Sequence, residues 1–249
     1  MADATGGAMR MLRPIQPRVK LDPRALAAGA WTWARRCPLT ATYLLVLLVV
    51  AVLLALLPDR VAESVVFHAS TNLKGLRDTP LFVLVTSAFV LWGGLTGLLL
   101  LPVVALVMSA VERWLGKLAT VLVFALGHVG ATLGLAVILA SGISHRAIDP
   151  EVATVHDVGV SYGLLAMAGI LTARVPTRWR GWYAGAIGVP PLVAFGLSRD
   201  PTDLGHVLAA LIGLALAVLL LRAVAFAFAA RVRPRGQDIP DRPLLKKSR

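Results

Sequence analysis

One cysteine, Cys37, is all the thiol this 249-residue chain carries, which excludes an intramolecular disulfide. No segment returns at a fixed period, and no corresponding pair of broken apolar helices marks two halves of the chain, so nothing favours a transporter built from repeats. The apolar runs are continuous and Leu/Ala-rich, without the alternation that strands of a membrane barrel require. The opening segment, "MADATGGAMRMLRPIQPRVKLDPRALAAGA", lacks a compact signal-peptide apolar region and a small-residue cleavage site, and is expected to be a retained tail.

Apolar residues fill the space. They make up 57% of the chain, and the mean hydropathy is +0.77, more than a globular core needs. A bilayer core of roughly 30 Å takes about 20 consecutive apolar residues per helix. The run "LTATYLLVLLVVAVLLALL", Leu39 to Leu57, fits that length and is closed by Pro58 and Asp59. Further runs at 81–111, 118–141, 158–173, 182–197 and 204–230 bring the predicted spans to six. The second and last exceed one crossing, so each is expected to include an interfacial or tilted portion.

Charge supplies an independent test, because Lys and Arg collect in cytoplasmic loops. With six spans and the N-terminus inside, the inner segments hold seven, two, three and eight basic residues, 20 of the 25 present. The outer loops keep Arg60, Lys74, Arg77, Arg146 and Arg199 but hold eight of the 13 acids. The expected organisation is a basic cytoplasmic tail over 1–36, a membrane domain over 37–230 and a basic cytoplasmic tail over 231–249, in the plasma membrane. The C-terminal tail, Pro-rich and charged, is expected to be disordered. A net charge of +12 then belongs to tails lying beside anionic headgroups, and nucleic acid is not an expected partner.

Ionisable residues within spans mark functional sites by default, because burying them costs a few kcal/mol or more. Few are present. His128 falls in span three, His206 near the start of span six, and Ser161 and Tyr162 near the start of span four. Asp157 and Asp203 stand at the outer ends of spans four and six, where capping of helix N-termini is the ordinary role. Both spans run from outside to inside. Ser161 is four residues past Asp157 and His206 three past Asp203, so at about 1.5 Å per residue they share a level beneath the outer surface. Small residues let lipid-embedded helices approach: Gly159, Gly163, Ala166 and Ala173 on span four, Ala209, Gly213 and Ala217 on span six. The spacing permits an imidazole from His206 to accept the Ser161 hydroxyl proton. The ordinary alternative is a serine bonded to its own backbone and a histidine paired with a neighbouring helix.

From about residue 39 to 222 these features resemble the rhomboid intramembrane serine proteases. "VTSAFVLWGGL" looks like the family's entry into its second span, and "AVERWLGKLATVLVFALGHVGATLG" is similar to its Glu-Arg-x-x-Gly turn. "GVSYG" resembles the Gly-x-Ser-Gly nucleophile motif, and "GHVLAALIG" the last-span motif of a histidine followed by small residues. The segment from Pro58 to Pro80 corresponds to the family's first loop, at the membrane interface.

The resemblance implies an all-α bundle of six transmembrane helices around a water-accessible cavity open to the outside, with both termini cytoplasmic. Ser161 would be the nucleophile and His206 the general base, with Gly163, Ala209 and Gly213 serving helix packing. No metal or organic cofactor is implied, and the partners would be transmembrane segments of other membrane proteins, cleaved near helix-breaking sites. Candidates for the oxyanion and substrate side are Thr96, Gly159 and Tyr162. Three departures accompany this: Tyr162 replaces the glycine after the nucleophile, Thr96 and Leu100 stand where the family has a histidine and an asparagine, and the first loop has no Trp-Arg pair. Two other readings remain open: a pseudoprotease that binds transmembrane clients, and a small transporter using His156, Asp157, Asp203 and His206, whose spacing is not diagnostic of a metal.

Overall fold

The computed structural model describes residues 22–91, 95–154 and 157–232, and among these there is no strand. Of the described residues, 22–36 belong to a unit of their own. In it α1, Pro23–Arg36, carries two basic residues in its last turn, and the Arg35 guanidinium lies 4.7 Å from the centre of the Trp31 ring.

The second unit begins at Cys37. Its first helix, α2, Pro38–Ala55, has no charged residue and about the length of a bilayer crossing. Proline at the first helical position suits the start, but it does not satisfy the orphan N–H groups of that turn. A carboxylate from another helix does: Glu112 Oε1 accepts from Leu39 N at 3.0 Å, and Oε2 accepts from Thr40 N at 2.9 Å and from Thr40 Oγ1 at 2.6 Å. After α2 the chain makes three short helices, α3 (Asp59–Ala69), α4 (Leu73–Asp78) and α5 (Pro80–Thr86), then a 3-10 turn at Ser87–Phe89. Asn72 starts α4 by accepting from Gly75 N at 2.7 Å.

The long apolar run at 81–111 is therefore not one helix. It contains α5, the 3-10 turn, the short α6 (Leu95–Leu98) and α7 (Leu100–Leu115). The helix breaks after the 3-10 turn, where Val90 takes an extended conformation. Gly116 ends α7 with φ +84° and opens α8, Lys117–Ser144. At that φ a Cβ is disfavoured, so the glycine of the Glu-Arg-x-x-Gly turn makes the reversal while its glutamate caps α2.

The tightest packing joins α8 to α9 (Val160–Ile170) and α11 (Pro201–Val232). Nine of the eleven residues of α9 are buried. A Cβ on Gly127 would stand 2.1 Å from the Ala166 Cβ, one on Gly213 would stand 2.3 Å from the Ala166 carbonyl oxygen, and one on Gly169 would meet the Gly213 backbone at 2.8 Å. Small residues thus bring three backbones together, as close helix packing in lipid requires. The remaining helix, α10 (Thr177–Ser198), contains Pro190 and Pro191 and has no buried residue.

Three described helices are long and apolar enough to cross a membrane: Pro38–Ala55, Lys117–Ser144 and the Pro201–Ala229 portion of α11. The runs expected at 158–173 and 182–197 correspond to α9 with the 3-10 turn Leu171–Arg174, and to the interior of α10. Helix α9 is short and mostly buried among its neighbours, and α10 begins with Arg178 and Arg180 in its first turn.

Candidate active site

Helix α9 begins at a crowded point. Gly159 occupies its N-cap position, and its N–H donates to the Ser87 carbonyl at 3.0 Å. A Cβ on Gly159 would lie 1.8 Å from Cε1 and 1.9 Å from Nδ1 of His128, so only glycine admits the ring beside the start of the helix. His128 is buried, and its Nε2 donates to the Leu84 carbonyl at 2.8 Å with Ser87 Oγ at 3.2 Å. The ring ties α8 to the α5 segment. The sequence places His128 in span three but names no neighbour for it; Gly159, close in space but distant in sequence, is what makes it part of the surroundings.

Two residues after Gly159, Ser161 sits half-buried in the first turn of α9, and His206 lies in the second turn of α11. Their contact is direct: His206 Nε2 and Ser161 Oγ are 2.9 Å apart. At that distance a neutral imidazole can accept the hydroxyl proton, the first requirement of an activated serine.

Tyr162 points the other way. Its side chain is fully buried, its ring stands edge-on to His206 with centroids 5.1 Å apart, and its hydroxyl lies 3.4 Å from the Thr202 carbonyl. As a candidate for the substrate side it contributes no side chain; the ring backs the histidine instead. Gly205 makes room for this, since a Cβ there would fall 2.0 Å from the Tyr162 hydroxyl. Gly163 receives the Phe124 ring of α8, while Ala209 is buried against Ala131 and Tyr162. Leu100 packs on the apolar cluster of Val104, Met108 and Leu164. The side chain of Thr96 and residue His156 lie outside the described residues.

The acidic residues differ from their expected capping roles. Asp157 does not cap α9; its carbonyl accepts from Thr71 N at 2.9 Å and Ser70 Oγ at 2.9 Å, and its N–H donates to Ser70 Oγ at 2.6 Å. Thr71 Oγ1 also lies 3.3 Å from its Oδ2. Asp157 thereby fastens the start of α9 to the chain between α3 and α4, and burial pushes its carboxyl up to about 6. At α11 the cap is Asp200, whose Oδ1 accepts from Thr202 N at 2.7 Å. Asp203 instead accepts from Ser198 Oγ at 2.5 Å and faces His206. Among the described residues no three His, Cys, Asp or Glu side chains converge as a metal site would need.

A family model described as Rhomboid-like protein matches residues 32–225, most of the chain. The chain belongs to this rhomboid-like family. No curated protein and no solved structure matches it. In rhomboid terms, the Glu112 to Gly116 turn, the "GVSYG" start of α9 and the His206 turn of α11 now stand in one helical unit of a membrane protein.

Proposed function

We propose that this rhomboid-like protein is an intramembrane serine endopeptidase that cleaves transmembrane segments of other membrane proteins near the outer face of the plasma membrane. The observation that carries this reading is the 2.9 Å contact between Ser161 Oγ and His206 Nε2. Ser161 Oγ attacks the scissile carbonyl carbon while its proton passes to His206 Nε2, giving a tetrahedral oxyanion and an imidazolium. The first N–H groups of a helix have no intrahelical partner, so the backbone amides around Ser161 are the donors for that oxyanion, with Thr96 as a side-chain candidate. The imidazolium then returns the proton to the leaving amine and an ester remains on Ser161. Water, deprotonated by the same imidazole, hydrolyses the ester and restores both side chains. Six crossings with cytoplasmic termini put this chemistry on the outer side, in keeping with the charge distribution.

Ser161→Ala and His206→Ala should each abolish labelling of the full chain by a fluorophosphonate probe. Equal labelling of the wild type and both variants removes the peptidase from consideration. A second reading, a pseudoprotease that binds transmembrane clients, is favoured by one observation: apolar Leu100 stands where the family carries an amide. On that reading Ser161→Ala leaves client co-purification intact, and no probe labels the wild type.

A further inference from the structure

The side of His206 turned away from Ser161 is also occupied. Asp203 lies one turn earlier on α11, and its Oδ1 is 3.9 Å from His206 Nδ1, with about a quarter of each side chain exposed. This is an electrostatic contact, longer than a hydrogen bond. The other carboxylate oxygen, Oδ2, accepts from Ser198 Oγ at 2.5 Å. Ser198 is held in turn, because its Oγ accepts from Asp200 N at 2.9 Å in the tight connection between α10 and α11. Arg199 makes that connection possible with φ +58°. The carboxylate is therefore set by the turn before α11, and the oxygen left over faces the imidazole.

We infer that Asp203 is a positioning residue for His206, clamped by Ser198 and acting on the ring nitrogen opposite the serine. The inference rests on the dyad reading above. An imidazole that accepts from Ser161 at Nε2 must carry its proton on Nδ1. A carboxylate beside Nδ1 favours that tautomer and stabilises the imidazolium formed when the serine proton arrives. The relay adds no new bond: the serine proton goes to Nε2 and returns to the leaving group, and the carboxylate stays ionised throughout. Tyr162, edge-on to the same ring, limits its tilt, while Asp203 selects the protonated nitrogen.

The test uses the full chain, nitrogen-15 labelled at histidine, in bicelles. The His206 ring signals are identified among the five histidines by their loss in His206→Ala. Wild type should show the proton on Nδ1. Asp203→Asn should move the ring toward the Nε2-protonated tautomer and slow fluorophosphonate labelling of Ser161 about tenfold, the size expected for a partly screened charge at this distance. Ser198→Ala should shift the ring in the same direction to a smaller extent, and Asp203→Glu should restore part of the labelling rate. A ring spectrum unchanged in Asp203→Asn overturns the inference, even where labelling slows, because the lost rate then arises elsewhere. If wild type and Ser161→Ala label equally, the peptidase reading fails, and the ring spectra still decide whether Asp203 sets the tautomer.

Discussion

At the scale of single residues, the site depends on side chains with no chemistry of their own. Gly159 leaves room for the His128 ring and Gly205 for the Tyr162 hydroxyl, so the histidine is backed by an aromatic edge and the serine helix is braced by an imidazole. Asp157, which fastens the same place through its backbone N–H and carbonyl, also carries a buried carboxyl there. Its folded value of about 6 lies above the ordinary 3.8, so between these pH values the folded state binds the proton more strongly than the unfolded chain. Stability therefore falls as pH rises from about 4 to about 6, by on the order of 2–3 kcal/mol, and stays lower above that window. Asp157→Asn should flatten this dependence. Thermal unfolding of the detergent-solubilised protein between pH 4 and pH 7.5 measures it; a slope unchanged by the substitution would refute the assignment to Asp157.

At the scale of elements, Glu112 is the residue on which two helices depend. It lies in the last turn of α7, and its carboxylate satisfies the Leu39 and Thr40 amides and the Thr40 hydroxyl at the start of α2. Glu112→Ala leaves these buried donors without a partner, at about 1–3 kcal/mol for each. A marked loss of thermal stability follows. Glu112→Gln retains one acceptor oxygen and should lose about half as much. Equal melting temperatures for Glu112→Ala and wild type would show that other groups satisfy the start of α2. The same elements show why the Glu-Arg-x-x-Gly pattern was readable: a positive-φ glycine four residues after a buried carboxylate is a local signature. The caps were less readable. Asp157 and Asp203 stood where caps are expected, but Gly159 and Asp200 took those positions, because the start of a helix is fixed by the turn before it and not by the nearest acid.

At the scale of the whole molecule, family membership and three described helices long and apolar enough to cross a bilayer make this a membrane protein, and six crossings with inner termini are the arrangement expected from charge and length. Cys37 is the sole cysteine and is buried, which makes an accessibility scan straightforward on a Cys37→Ser background. A cysteine replacing Lys117 should react with an impermeant thiol reagent only from the cytoplasmic side of inverted vesicles, and one replacing Asp149 only in intact cells. Labelling of both from one side would refute six crossings with inner termini.

The linear pattern of apolar runs, basic loops and small residues sufficed for an all-helical membrane protein, and the motifs at Ser161 and His206 sufficed for its family, because hydropathy and local motifs are properties of the chain itself. Equal depth placed serine and histidine at one level. Only tertiary structure decided that they meet, since rotation about each helix axis is set by the Gly213 and Ala166 contact between α9 and α11. It likewise turned Tyr162 inward, brought His128 against Gly159 and aimed Asp203 at His206. The first two result from neighbours far away in sequence competing for the same volume, and the third from the turn that joins α10 to α11.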